Sequence, residues 1–125
     1  MLEIRENFSP VGYEEIISLA GGKAVHVTEA FDGSEKTGYI VYFYEKDKTV
    51  VLAYCDGGDM VLCDGLVRSV MFKSCMKGID SVVFELKDES GYESLRRLKF
   101  ISGDSNVSEN IDRFMNGCQN CKNKN

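Results

Sequence analysis

Apolar and polar positions change their period several times along this chain, and each change marks an element. From residue 49 to 55 the sequence TVVLAYC is an unbroken β-branched and aromatic run, as in a central strand covered on both faces. Asp56-Gly57-Gly58-Asp59 is a turn. Beyond it Leu66, Val67, Val70 and Met71 recur on one stripe, so a helix is predicted that stops at Gly78, where glycine suits a C-cap. Residues 81–86, SVVFEL, form a second apolar strand. Strand, helix and strand in this order make a βαβ unit. Its two strands should lie parallel, joined by a right-handed crossover, with a ligand crevice where the first strand ends and the helix begins.

Upstream, Leu2 and Ile4 alternate with Glu3 and Arg5, which predicts an opening strand. Ser9-Pro10 is a helix-start signal, Tyr13, Ile16, Ile17 and Ala20 follow at helical spacing, and Gly21-Gly22 ends that short helix. Residues 24–31 and 39–44 read as strands joined by the Asp32-Gly33-Ser34 turn, and a polar turn at 45–48 leads into residue 49. The predicted architecture is therefore α/β with a mixed sheet, an antiparallel meander followed by the βαβ unit. Downstream, a polar loop at 87–91, a short helix at 92–98, a short strand at Phe100-Ile101 and a loop at 103–108 are expected. Ile111, Phe114 and Met115 give one or two amphipathic turns, which open a short cysteine-bearing tail from about residue 109.

Size and charge narrow the function classes. At 125 residues the chain fits a single domain that buries a core without disulfides. A net charge of −5 argues against nucleic-acid binding through a basic surface. No basic-then-apolar leader and no membrane-length apolar run are visible, so a cytoplasmic protein without a membrane partner is expected. Five cysteines without a secretory context point to free thiols or metal ligands.

The order of elements resembles the acyl-CoA N-acyltransferase-like fold of the GNAT superfamily of N-acetyltransferases over about residues 2–101. The best local match is the βαβ unit followed by Leu95-Arg96-Arg97-Leu98-Lys99-Phe100; the Lys77-Gly78-Ile79-Asp80 helix end is also similar to that family. The resemblance implies acetyl-CoA as cofactor and an amine, on a small molecule or a protein, as acceptor. It implies that the backbone of Leu52, Ala53, Tyr54 and Cys55 holds the thioester and pantetheine arm. Met60-Val61-Leu62-Cys63-Asp64-Gly65 stands where the family has its diphosphate loop, so Leu62, Cys63, Asp64 and Gly65 would cradle the diphosphate at the helix start. Gly65 fits the last small position, while Cys63 stands where a glycine is usual and Met60 where an arginine or glutamine is usual. Asp59 is also a good N-cap, and Arg68 lies one turn beyond Gly65. The family's proton-donating tyrosine aligns with Leu95, and Tyr92, one turn earlier, is the substitute candidate. Glu45 and Asp56 are candidate bases, and His26 reads as structural.

Cys118-x-x-Cys121 has metal-ligand spacing, and Cys55 and Cys63 could complete a four-cysteine zinc or iron site beside the crevice. A helix N-terminus favours a thiolate, which bears on Cys63. Two functions follow as expectations: acetyl transfer from acetyl-CoA to an amine, or a non-catalytic relative that holds a metal or small ligand at the crevice.

Overall fold

The computed structural model describes residues 2–9 and 11–115. One six-stranded sheet runs β1-β2-β3-β4-β5-β6 in spatial as in chain order. The strands are β1 (Leu2–Asn7), β2 (Val25–Asp32), β3 (Glu35–Tyr44), β4 (Thr49–Cys55), β5 (Ser81–Phe84) and β6 (Val107–Glu109). Helix α1 (Glu14–Ser18) follows β1, α2 (Met60–Met76) links β4 to β5, and α3 (Glu89–Arg97) and α4 (Asp112–Met115) flank β6. β4 pairs antiparallel with β3 and parallel with β5, the mixed sheet expected of a meander feeding a βαβ unit.

Period-two alternation divides the side chains between two faces. Ile40, Tyr42, Val51, Val82 and Phe84 form the large core with Leu66, Val67, Val70 and Met71 of α2, joined by Leu95 and Ile111. The predicted stripe of α2 is thus the buried one. The opposite face, with Val27, Val41, Val50 and Leu52, is covered by the α1 segment through Tyr13, Ile16 and Ala20. β4 changes face irregularly. Val41 lies opposite Ala53 and Tyr42 opposite Val51, so Leu52 is the extra residue of a bulge. Leu52 and Ala53 consequently both pack on the α1 side, and Tyr54 returns to the α2 side.

Three expectations are corrected. Phe100 and Ile101 are buried but lie in no strand. After α3, Lys99 adopts a left-handed conformation (φ 66°) and the Phe100 N–H turns back to the Leu95 carbonyl at 2.9 Å, so these apolar residues drop into the core. Among the described residues the last strand is β6, which begins within the expected 103–108 loop, where the edge of β5 pairs with Val107 and Ser108 despite their weak pattern. The first helix also starts later than Ser9-Pro10 predicts. The Ser9 N–H closes a local turn onto Asn7 Oδ1 at 2.8 Å and Gly12 takes φ 96°, which delays the helix to Glu14; Pro10 lies outside the described residues.

The short α1 buries none of its own residues, yet it is anchored by the tyrosine before it. The Tyr13 hydroxyl donates to Glu29 Oε2 at 2.6 Å, and that carboxylate also accepts from Asn7 (3.1 Å) and Lys36 (3.2 Å). Burial pushes the Glu29 carboxyl up, but the hydroxyl, amide and ammonium donors outweigh it and hold the group below its ordinary 4.5. A carboxyl lowered by folding adds stability above its unfolded value and loses it as pH falls through the folded value. Glu29→Gln is therefore expected to cost about 1–3 kcal/mol at neutral pH and to flatten the acid limb, measured by urea unfolding across a pH series.

Candidate functional site

The parallel pairing of β4 and β5 is brief. Thr49, Val50 and Val51 face Val82, Val83 and Phe84, the Glu85 N–H still reaches the Val51 carbonyl at 2.8 Å, and there the register ends. β4 continues to Cys55 against β3 alone. The chain after β5 is held by Tyr92, on α3, along its edge away from β4. The Tyr92 hydroxyl accepts from the Leu86 N–H at 2.9 Å and donates to the Phe84 carbonyl at 2.7 Å. Asn106 adds a second donor to that carbonyl at 3.0 Å.

The parted strands leave a cleft of about 230 Å³, floored by Leu52, Ala53 and Tyr54, walled by Leu86, Lys87 and Asp88, and closed on the α1 side by Glu15, Ile16, Leu19 and Tyr39. An adjoining depression of about 240 Å³ shares Tyr39, Tyr54 and Asp88 and adds Cys55, Asp56 and Gly57. Four predicted ligand-holding residues, Leu52, Ala53, Tyr54 and Cys55, thus come together along one edge. Backbone groups on the β5 side of this edge are free of strand pairing beyond Val51.

The other four predicted residues sit inside helix α2. Leu62 and Cys63 are buried in the main core, and the Cys63 N–H is spent on the Asp59 carbonyl at 3.0 Å. Asp64 pairs with Arg68 at 2.8 Å, and Arg68 also donates to the Phe114 carbonyl at 2.6 Å, tying α4 to α2. Gly65 lies against β1, since a Cβ there would come 2.6 Å from Ile4 Cδ1. Because the helix begins at Met60, donors of this segment beyond its first turn serve the helix ladder.

The start of α2 is filled by the chain's own carboxylates. Asp59 caps it, accepting from the Val61 N–H at 2.9 Å as its N-cap preference predicts. Asp56, a candidate base from the sequence, is buried, with 8% of its surface exposed. It accepts from the Gly58 N–H at 2.8 Å and from the Tyr54 hydroxyl at 2.7 Å. Burial, with Cys63 and Asp56 beside it, raises the Tyr54 phenol far above its ordinary value, so it stays protonated.

The remaining candidates take structural positions. Tyr92 donates its hydroxyl proton to the Phe84 carbonyl. Glu45 pairs with Lys23 at 3.2 Å, and His26 is packed between Tyr42 and Tyr44. Cys55 is exposed and Cys63 fully buried. Burial raises the Cys63 thiol to about 11, with Asp56 and Asp64 adding to it, which reverses the thiolate expected at a helix start. Among the described residues no group of three or more His, Cys, Asp or Glu side chains is arranged to hold a metal, and Cys118 and Cys121 lie outside them. Sequence reasoning missed Glu15, Tyr39 and Asp88, which reach the cleft from three separate elements.

No family-wide sequence pattern and no curated protein sequence matches the chain. Solved structures do match. A protein from Desulfovibrio desulfuricans assigned to the GNAT acetyltransferases superposes with a TM-score of 0.55 at 12% identity, over 78% of this chain and 81% of that one. The PaiA N-acetyltransferase of Thermoplasma acidophilum, solved with coenzyme A, gives 0.51 at 14% identity over 75% of this chain and 64% of that one. A chain of the KacTA–DNA complex gives 0.60 at 16% identity over 94% and 99%. The likeness is one of fold: the mixed sheet and its helices are those of the GNAT acetyltransferases.

Two outcomes check this geometry. Tyr92→Phe should lower stability by about 1–3 kcal/mol, because the Leu86 N–H loses its acceptor; thermal unfolding reads it. Brief alkylation of the native protein near pH 8, mapped by peptide mass, should modify Cys55 and spare Cys63 until denaturant is added.

Proposed function

We propose that this GNAT-fold protein takes the arm of an acyl thioester into the β4–β5 cleft and presents the acyl group to an amine at the acidic mouth. The observation that carries the reading is the parting of the two strands after Val51, which turns the edge of residues 52–55 toward a cavity of ligand size. An extended arm bearing amides pairs with such an edge as a further strand would, and Leu52, Ala53 and Leu86 supply apolar contact. Glu15 and Asp88 stand at the opening, where their carboxylates draw a cationic amine and hold its ammonium group near the thioester. Leu19 and Ile16 shield the arm from water on the α1 side.

Acetyl-CoA, which the fold implies, has two parts that fit differently. Its pantetheine arm suits the open edge of β4. Its diphosphate does not suit the helix start, where Asp56 and Asp59 already hold the Gly58 and Val61 N–H groups. When a thioester is bound it supplies the acyl group: the amine nitrogen forms the new C–N bond, the C–S bond breaks, and the thiol leaves with a proton released by the amine.

A non-catalytic small-ligand protein is the second reading. It is favoured by the hydroxyls near the cleft, since Tyr92 and Tyr54 both give their protons to protein acceptors. Incubation with S-acetylpantetheine and a panel of mono- and polyamines separates the two. Amine-dependent thiol release that falls at least tenfold in Ala53→Phe, which fills the cleft, supports transfer. Saturable binding with no thiol release gives the second reading, and no binding at all sinks both.

A further inference from the structure

We infer that the cleft selects an acyl carrier without a nucleotide diphosphate, a pantetheine thioester or one equally free of anionic charge, over CoA. The inference rests on the cleft reading above and concerns the chemistry of the ligand's far end.

A helix start attracts phosphates when its backbone donors are unspent and the ends of its dipoles face solvent. Here the helix start faces solvent, but carboxylates of the chain itself already hold donors there. The Gly58 N–H goes to the Asp56 carboxylate and the Asp59 N–H to the Asp56 carbonyl. The Val61 N–H goes to the Asp59 carboxylate and the Cys63 N–H to the Asp59 carbonyl. The dipole's positive end is thus already met by two internal anions. Asp56 is the less easily displaced of them, because it is buried and the Tyr54 hydroxyl holds its second oxygen at 2.7 Å. Moving it aside would strand a buried hydroxyl and a buried carboxylate together.

Among the described residues, no cation lines the depression at the helix start, whereas Asp56 and Asp88 do. Arg68, just over two turns into α2, is held by Asp64 and by the Phe114 carbonyl. A diphosphate here would meet carboxylates, whereas a neutral arm ending short of the helix meets the free β4 edge and the side chains of Leu52, Ala53 and Leu86.

Calorimetric titration of the full chain with pantetheine, 4′-phosphopantetheine and CoA tests the inference. Pantetheine is expected to bind at least as tightly as CoA, with affinity falling as phosphates are added. Asp59→Ser keeps a capping hydroxyl while removing one charge. It should raise CoA affinity by about fivefold, the order expected for one contact charge pair near water, and leave pantetheine binding unchanged. Asp56→Asn should act in the same direction. CoA binding tenfold tighter than pantetheine to the unaltered protein, or no gain for CoA in either variant, overturns the inference while leaving the cleft reading intact. Absence of heat with all three compounds removes the cleft reading and the inference with it.

Discussion

The site depends on one hydroxyl. Tyr92 holds the Leu86 N–H and the Phe84 carbonyl on the edge of the chain that faces away from β4, since the Glu85 N–H between them is the group that reaches the Val51 carbonyl. Backbone groups removed from water need partners, and past the short β6 these two find theirs in a side chain. Here α3 supplies that partner, Asn106 reinforces it, and the bulge at Leu52 turns two successive β4 side chains to the α1 face where the cleft opens. The cleft is therefore built into the sheet's hydrogen bonding and does not rely on a mobile loop.

The charge pattern of the site follows from what closes its two ends. At the mouth, Glu15 from α1 and Asp88 before α3 make an acidic rim with Lys87 as its one basic neighbour. At the helix start, Asp56 and Asp59 accept from the Gly58 and Val61 N–H groups. Both ends therefore carry carboxylates. Asp56 also joins the two, since Tyr54, which lies on the cleft floor, donates to it.

Much of the frame was legible because it rests on local pattern. The TVVLAYC run is β4 to the residue, the α2 stripe is the buried stripe, and Asp59 caps the helix as its side chain predicts. The failures have a common cause. Phe100 and Ile101 carry strand-like residues but lie where the chain turns off α3, so their apolarity serves the core. Val107 and Ser108 lack a pattern and become strand because β5 has an edge to fill. Cys63 stands near a helix start, yet its place in the core outweighs the dipole.

By itself, then, the sequence determined the elements whose periodicity and caps act over a few residues, the order of those elements, and hence the mixed sheet with its parallel β4–β5 pair. Tertiary structure alone decided the chemistry of the cleft. Glu15, Tyr39 and Asp88 meet there from elements far apart in the chain, and Tyr92 and Asp56 acquire their partners only when the backbone folds back on them. Hydrogen bonding and burial are properties of a side chain's surroundings, and no local pattern of residue types encodes surroundings assembled from distant segments.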